Sequence, residues 1–319
     1  MPELPDIEAY RAALATRAVG EPLRGVRLRG VFLLRTADPP LGQFRDLRLT
    51  GTRRVGKRLV LAFEELEPRR FLVLHLMLAG RLTWARPGAG LPGKRGQAAF
   101  DFDAGSLLLT EAGSRRMASL HAVEGEAALA AFDPGGLEPV GATAAAFAER
   151  IRRERHTLKR ALTSPHLLAG IGGAYADEIL FAAELSPVAL TTSLDDAQLE
   201  RLRTATVGVL ERWTARLEEP VARGRWPKIT AFQEGMAVHG RYREPCPRCG
   251  APVQRIRYAS RETNYCAVCQ TGGTVLADRA LSRLLGKDWP RSLEAWEERL
   301  GGGAADARPS SPGDPPESS

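Results

Sequence analysis

The chain has 319 residues, of which 44% are hydrophobic, and it carries 45 lysines and arginines against 38 aspartates and glutamates. The net charge of +7 favours a polyanionic partner, most simply nucleic acid, although a solvated basic face would give the same excess. No apolar run approaches the ~20 residues that a membrane span needs, and the length predicts two domains plus a small appended unit.

The amino-terminal region has the pattern of one helix followed by short strands. Ile7, Tyr10 and Leu14 fall on one helical face, and Pro5 with Asp6 makes a favourable first turn. Short apolar or alternating runs follow, separated by glycine, proline and charged clusters, which is typical of an antiparallel sandwich. These runs cover residues 26–34, 58–63, 71–76, 81–85, 98–102 and 106–110.

From residue 143 onward the spacing of apolar residues becomes helical, after a glycine- and proline-containing linker at 133–136. One helix is predicted over 146–162 and a second around Leu199 to Leu217, with Ser193 and Asp196 as its capping box. The sequence therefore predicts an α+β chain, with an amino-terminal β-sandwich domain over 1–133 and a helical domain over 143–240.

All four cysteines of the chain lie in one window, as Cys246-Pro-Arg-Cys249 and Cys266-Ala-Val-Cys269, with sixteen residues between the two pairs. Two such pairs at this separation are typical of a four-thiolate zinc site. The alternatives are chance cysteines or disulfides, but disulfide scaffolds belong mainly to small secreted domains and no secretory signal is present. One structural zinc ion in a ribbon over 241–273 is predicted, and reduced thiols favour the cytosol.

The residues between the two cysteine pairs have the alternation of a strand over 253–258, followed by a polar turn with Arg261 near its tip. A ribbon held by a metal can present an arginine to a phosphate or to the edge of a base. In an arginine-rich chain, a solvated surface arginine is the simpler interpretation of this residue alone.

The first residues, Met1-Pro2-Glu3-Leu4, allow two interpretations. Proline and acidic residues make a good helix start without any further role. Alternatively, removal of Met1 leaves the secondary amine of Pro2 at the chain end, where an α-amine titrates near 8. Such an amine can attack the C1′ atom of a sugar and form an iminium, with Glu3 placed to move protons.

Four motifs occur together: PELP from Pro2, Gly56-Lys57, the sequence GIGGAYADEILF over 170–181, and Arg261 within the four-cysteine ribbon. The same motifs occur in the same order in the formamidopyrimidine-DNA glycosylase / endonuclease VIII family, which the chain therefore resembles. The resemblance extends from Pro2 to Gln270. The resemblance implies a bifunctional DNA glycosylase/AP lyase. It also implies a β-sandwich, a helix–two-turn–helix domain and a zinc finger, with DNA bound in the cleft between them.

The resemblance assigns roles to individual residues. It implies that Pro2 is the nucleophile and Glu3 the proton donor, and that Lys57, Lys159 and Arg261 contact phosphates near the lesion. It also implies that the turn containing Gly170, Gly172 and Gly173 approaches a phosphate through its backbone N–H groups, because glycine places no Cβ in the way. The simpler interpretation of these glycines is a helix–helix turn, and both can hold at once.

The chain departs from the family pattern in its DNA-binding residues. Gly173 stands where the family usually has an asparagine, Leu78 where a methionine usually fills the gap left by the extruded nucleotide, and Met117 where a phenylalanine usually wedges. Arg115 could still occupy that gap. The lesion-capping segment of the oxidised-guanine enzymes is not recognisable in 219–230. The motifs therefore leave open an oxidised purine or pyrimidine substrate, and β- or β,δ-elimination.

The chain also continues past the ribbon, where the family typically ends. Leucines at 276, 281, 284 and 285 predict an added amphipathic helix within 274–300, and residues 301–319 have the composition of a disordered tail.

Two functions from different classes follow from the sequence. The first is a base-excision repair enzyme, monomeric and cytosolic, that removes oxidised bases from double-stranded DNA through a Schiff base on Pro2 and then cleaves the strand at the abasic site. The second is a binding protein for damaged DNA or abasic sites that has the same scaffold without efficient turnover. Pro2, Glu3 and Lys57 favour the enzyme, since a binding protein has no need of a terminal secondary amine.

Overall fold

A computed structural model of the chain describes residues 1–63, 67–113, 115–230, 232–258, 261–277, 285–286, 289–290 and 292–301, with the backbone alone for residues 258, 261, 300 and 301. The predicted tail lies outside this description apart from Gly301. Leu281 and Leu284 of the predicted added helix also lie outside it.

The amino-terminal region is a helix packed beside two four-stranded antiparallel sheets, as predicted. Helix α1 spans Leu4–Arg17, and the strand orders are β1-β6-β7-β5 and β2-β3-β4-β8. The strands are β1 (Leu23–Leu28), β2 (Leu49–Val55), β3 (Arg58–Phe63), β4 (Arg70–His75), β5 (Gly80–Ala85), β6 (Gly96–Phe102), β7 (Ser106–Glu111) and β8 (Ser119–Glu124).

Strand β3 explains why the two sheets pack into one sandwich. Leu59, Leu61 and Phe63 alternate along it and join the core between the sheets, whereas Val60 and Ala62 point to a smaller cluster on the outer face. Helix α2 (Glu126–Ala130) covers that outer cluster. Burial on both faces gives β3 its nearly continuous apolar sequence.

One predicted strand in this region was too long, and two strands were missed. The strand predicted over 26–34 ends at Leu28, and Val31–Leu33 forms a 3₁₀ turn instead. Strands β2 and β8 were not predicted, because β2 is fully buried only at Leu49 and β8 interrupts its apolar residues with serine and histidine.

The second region is helical and has its own core around Tyr175, Ile179, Leu202 and Trp213. Its helices are α3 (Ala144–Arg152), α4 (Leu158–Thr163), α5 (Gly173–Ala182) and α6 (Asp196–Ala222).

Two local predictions for the helical region are wrong. The single helix expected over 146–162 is divided into α3 and α4, because His156 and Leu158 donate their backbone N–H groups to Thr191 and Ala189 rather than continuing a helix. The capping box of α6 is formed by Asp195 with Gln198, two residues later than the expected pair of Ser193 with Asp196.

The carboxyl-terminal region is a two-stranded ribbon with helices beside it. Strands β9 (Gln254–Tyr258) and β10 (Arg261–Tyr265) pair antiparallel and are followed by α7 (Ala267–Thr271) and α8 (Leu293–Gly301). Leu276 and Leu293 pack on the buried Ile256 and Tyr265 of the ribbon. Among the helices of the described residues, none has the length and apolar character of a membrane crossing.

Candidate active site

The amino terminus of the chain is buried between the sandwich and the helical region. Pro2 is buried, and Glu3 is the N-cap of α1. The backbone N–H of Glu3 donates to Asp6 Oδ2 at 2.8 Å. The N–H of Leu4 donates to the carbonyl of Gly170 at 2.9 Å, which ties the first turn of α1 to the turn before α5. The chain end therefore has a fixed position at the junction of the two regions.

The Glu3 carboxylate lies at the amino terminus of α5. It accepts hydrogen bonds from the backbone N–H groups of Gly172 (2.6 Å), Ala174 (3.0 Å) and Tyr175 (3.3 Å). The first N–H groups of a helix have no partner within the helix, and the helix dipole favours an anion there. Glu3 is thus a buried carboxylate held in one orientation by another region of the chain.

The glycines of the turn before α5 divide into two kinds. A Cβ on Gly172 would lie 2.5 Å from the Glu3 carboxyl carbon, and a Cβ on Gly170, where φ is +78°, would lie 2.8 Å from Leu4 Cβ. These two glycines allow the close approach of α1, and the N–H of Gly172 donates to Glu3; phosphate binding by this turn stays a prediction. Gly173 faces open space, and its role in phosphate binding stays a prediction.

Burial and charges of both signs act on the terminal amine. Burial lowers the pKa of the Met1 amine below its ordinary value of 8.0; the charges of Arg81 and Lys57 act in the same direction, against those of Glu3 and Asp6. A lowered pKa increases the unprotonated, nucleophilic fraction of an amine at neutral pH. The surroundings of the chain end therefore favour a reactive amine.

Lys57 lies in the tight turn between β2 and β3, after Gly56 with a φ of +57°. It is near His75 at the end of β4, where burial and the charges of Arg58 and Lys57 lower the pKa of His75 to about 4. The imidazole is therefore neutral at physiological pH, and the lysine contributes to a basic surface at this edge of the sandwich.

Two loops cross between the sheets side by side at this edge. His75 pairs with Ser119 in one sheet, and Gly80 pairs with Glu111 in the other. The turn from β4 to β5 leaves one sheet at His75 and enters the other at Gly80, and the segment from β7 to β8 connects their paired partners, Glu111 and Ser119. The two segments therefore run next to each other.

The predicted gap-filling residues lie on these two loops. Leu78 is 66% exposed in the first loop, and in the second Arg115 is exposed and Met117 half-buried. The Met117 N–H donates to Glu111 Oε1 at 2.8 Å, which ties the second loop to the end of β7. The structure thus brings Leu78 and Met117 together on adjacent loops, and their role in filling a gap in DNA stays a prediction.

Lys159 lies beside the start of α5 in a network of charges. Its Nζ donates to Asp177 Oδ1 at 2.5 Å and to the carbonyl of Gly173, and His239 Nδ1 lies 2.8 Å from the second oxygen of Asp177. The Asp177 side chain is completely buried, whereas that of Lys159 is 15% exposed. The carboxylate therefore holds the ammonium next to Gly173, close to where the predicted phosphate would bind.

The four cysteine sulfurs converge at the end of the ribbon and lie within 4.8 Å of one another. Cys246 Sγ is 4.0 Å from Cys269 Sγ, and Cys249 Sγ is 3.5 Å from Cys266 Sγ. Tetrahedral zinc with Zn–S bonds of about 2.3 Å places its sulfurs roughly 3.8 Å apart. The arrangement therefore fits one four-thiolate zinc ion.

Arg261 is the first residue of β10, where its backbone pairs with Tyr258 across the hairpin. The turn residues 259 and 260 and the Arg261 side chain lie outside the described residues. The hairpin itself is as predicted, but Arg261 belongs to the strand directly after the turn rather than to the tip of the turn, because its backbone pairs with Tyr258. Its contact with phosphate stays a prediction.

Some residues of this site were not predicted from the sequence. Asp6 was interpreted only as a helix-start residue, and Arg81, Asp177 and His239 were assigned no role. No local pattern marks these last three residues, because their contacts join positions 18 to 148 residues apart in the chain, which periodicity does not report.

Comparisons with known proteins match the three regions to families. Residues 1–120 match the formamidopyrimidine-DNA glycosylase N-terminal domain, residues 136–218 its H2TH domain, and residues 243–272 the zinc finger found in FPG and IleRS. The zinc-finger match and the sulfur cluster together identify the four cysteines as a structural zinc site.

Curated and solved relatives cover most of the chain. The formamidopyrimidine-DNA glycosylase of Heliobacterium modesticaldum is 34% identical over 284 residues, which are 85% of this chain and 100% of the relative. The structure of Lactococcus lactis Fpg with abasic-site DNA has a TM-score of 0.74 and 26% identity, covering 84% of this chain and 99% of that one. The same protein with Fapy-dG DNA has a TM-score of 0.74 and 25% identity, covering 84% and 100%.

Proposed function

The chain belongs to the formamidopyrimidine-DNA glycosylase family, and we propose that it is a base-excision repair DNA glycosylase with an associated AP lyase activity, acting on oxidised bases in double-stranded DNA. The observation that carries the proposal is the burial of the chain end next to a Glu3 carboxylate that three backbone N–H groups of another region hold in place. A carboxylate beside a terminal amine is a proton carrier beside a nucleophile.

The proposed nucleophile is the secondary amine of Pro2 after removal of Met1. Its lone pair attacks C1′ of the damaged nucleotide while the bond from C1′ to the base breaks, and the base departs with that electron pair and takes up a proton. The nitrogen then loses its proton, the bond from C1′ to O4′ opens, and O4′ takes a proton, which leaves an iminium between Pro2 and C1′. Glu3 carries these protons.

Strand cleavage follows from the iminium. The positive nitrogen acidifies the C2′ proton, and removal of that proton expels the 3′ phosphate by β-elimination. Water then adds to the iminium and releases Pro2. The chemistry requires only the amine and a proton carrier, both of which the amino terminus supplies.

The base must leave the helical stack before C1′ can be reached, and the duplex must bend to allow it. We propose that Leu78, with Met117 or Arg115, fills the gap left in the duplex. Lys57, Lys159 and Arg261 bind phosphates on either side, and the zinc ion holds the ribbon that carries Arg261. A protein of this kind acts on chromosomal DNA. We therefore propose that it works in the bacterial cytosol, as a monomer.

The proposal is tested by borohydride trapping. Protein confirmed by mass spectrometry to begin at Pro2 is incubated with duplexes that each carry one oxidised base or one abasic site, and a covalent complex is expected because borohydride reduces the iminium. The matched control retains an amino-terminal extension, which converts the Pro2 nitrogen to an amide.

The control must still bind a duplex that carries a tetrahydrofuran abasic analogue, since that analogue measures binding without chemistry. Trapping of the Pro2 protein but not of the control supports the lyase. Tight binding by both proteins without trapping or excision would favour the binding-protein alternative, and undiminished trapping of the extended control would remove Pro2 from the mechanism.

A further inference from the structure

The segment that follows α6 crosses back onto the sandwich. We call residues 224–230 the strap. Trp226 Nε1 donates to the carbonyl of Leu82 at 2.7 Å, and the indole lies between the rings of Tyr10 and Trp84, with centroid distances of 5.9 and 6.1 Å. Ile229 is 7% exposed and joins the sandwich core. The strap is therefore anchored at two points rather than suspended between the regions.

Arg81 connects the strap to the turn that carries Leu78. Its Nε donates to the carbonyl of Ile229 at 3.0 Å, and its Nη1 donates to the carbonyls of Gly80 at 2.7 Å and Leu78 at 3.2 Å. A guanidinium is a rigid planar fork, so it fixes the relative position of the groups it binds. One side chain thus joins two segments that are about 150 residues apart in sequence.

Arg81 also lies near the chain end. Its charge acts on the Met1 amine and on Asp6. Within the described part of the chain, no carboxylate forms an ion pair with it, in contrast to Arg54, which binds both Glu8 and Glu138. Because no carboxylate of the described residues contacts it directly, the positive charge of Arg81 acts on the amine.

We propose that Arg81 is a positioning residue that ties the Leu78 turn to the strap and so fixes the position of Leu78, the residue proposed to fill the gap left by the extruded base. The inference rests on the proposed function, and it separates the two reactions. Base excision needs the gap filled so that the damaged base stays out of the stack, whereas a preformed abasic site has no base that could return to it. Arg81 should therefore matter much more for excision than for lyase activity.

The test compares Arg81→Met, Arg81→Lys and, as a matched control, Arg86→Met. Arg86 is an exposed arginine just past the other end of β5, so its loss removes the same net charge without touching the strap. Single-turnover rates are measured on a duplex with one oxidised base and on the same duplex with a preformed abasic site. Both Arg81 variants should lose about tenfold or more in excision and less than about threefold in lyase rate.

A pH profile of the lyase reaction adds a readout that a purely structural role would not move. Arg81→Met removes a positive charge near the amine, so the acid limb of the profile should move to higher pH. Arg81→Lys keeps the charge but replaces the planar fork by a single nitrogen on a flexible stem, so it should lose excision without that movement. Trp226→Phe removes the hydrogen bond to Leu82 and keeps a smaller aromatic ring between Tyr10 and Trp84, so it tests the strap independently if Arg81→Met does not fold.

The outcomes separate the inference from the function on which it rests. Wild-type protein that neither excises nor is trapped would overturn the proposed function and the inference together. If the wild-type protein is active but Arg81→Lys and Trp226→Phe keep the wild-type ratio of excision to lyase rates, the inference alone is overturned. Equal losses in both reactions give this same unchanged ratio.

Discussion

Glu3 Oε2 lies 2.6 Å from the backbone nitrogen of Gly172, across the junction between the sandwich and the helical region. This contact joins residues 169 positions apart, and it places a proton carrier next to the amine that we propose as the nucleophile. It also requires glycine at position 172, because any larger residue would overlap the carboxyl group. The contact therefore couples the packing of the two regions to the chemistry.

Gly172→Ala should damage both stability and lyase activity. Its Cβ would lie 2.5 Å from Glu3 Cδ and Oε1, so the carboxylate must move away from the α5 amino terminus. Overpacking of this kind costs about 1–3 kcal/mol in the free energy of unfolding, and displacement of a reacting group by about 1 Å can cost about a hundredfold in rate. Denaturant unfolding and the cleavage rate of abasic-site DNA measure the two effects.

Gly173→Ala is the matched control for this prediction. Its Cβ would face open space, and alanine is favoured over glycine within a helix. It should leave the free energy of unfolding unchanged or slightly higher. Equal effects of the two alanine substitutions would mean that Glu3 is not held as the structure describes.

Asp6 should make the stability of the protein depend on pH. Burial raises its pKa from 3.8 to about 7, so between these values the folded protein keeps a proton that the unfolded chain releases. The free energy of unfolding should therefore fall as pH rises through this interval, by as much as roughly 4 kcal/mol, and level off above it.

Asp6→Asn separates this contribution from that of other groups. The amide resembles the protonated carboxyl and can still accept the Glu3 N–H. The difference in the free energy of unfolding between variant and wild type should grow in favour of the variant from about pH 4 to pH 7. A difference that stays constant over this interval would show that Asp6 titrates normally.

The parts of the fold that were predicted from sequence are those set by local pattern. Helix α1 follows from the spacing of Ile7, Tyr10 and Leu14, and β3 was predicted with its correct ends. The zinc site follows from cysteine spacing alone, because the ligands of a ribbon lie close together in the chain.

The remaining parts depend on contacts between distant residues. The break between α3 and α4 arises from hydrogen bonds to residues 189–191, which helical periodicity cannot report. For the same reason the sequence placed Glu3 near the amine but did not identify its partner, Gly172. Arg81 and Trp226 were also missed, since each binds a carbonyl about 145 residues away.

Cys249→Ser should release zinc and weaken DNA binding while leaving the sandwich folded. Metal binding and ribbon folding are linked, and the ribbon carries Arg261. Zinc content, far-ultraviolet circular dichroism and anisotropy with a duplex bearing a tetrahydrofuran site measure the three properties. Val268→Ser is the control, since Val268 lies between two of the ligands but is 45% exposed. Full DNA affinity after loss of zinc would exclude the ribbon from the binding surface.

Arg261→Ala should weaken binding to all duplexes about equally. Phosphates carry no sequence information, so loss of one phosphate contact does not change the ranking of lesions. The slope of log affinity against log salt concentration should become shallower by roughly one, the counterion equivalent of one contact. Zinc content should be unchanged, because Arg261 is not a metal ligand. The loss of affinity in Cys249→Ser should be at least as large.

Arg255→Ala is the matched control on the neighbouring strand. Arg255 stacks on Tyr242 at 4.1 Å and lies 3.6 Å from Glu262, so its charge is engaged within the protein. Its removal should leave the salt slope unchanged, even if the ribbon is somewhat less stable. If Arg261→Ala keeps both wild-type affinity and the wild-type slope, Arg261 is a solvated surface residue, and the finger does not bind phosphate through it.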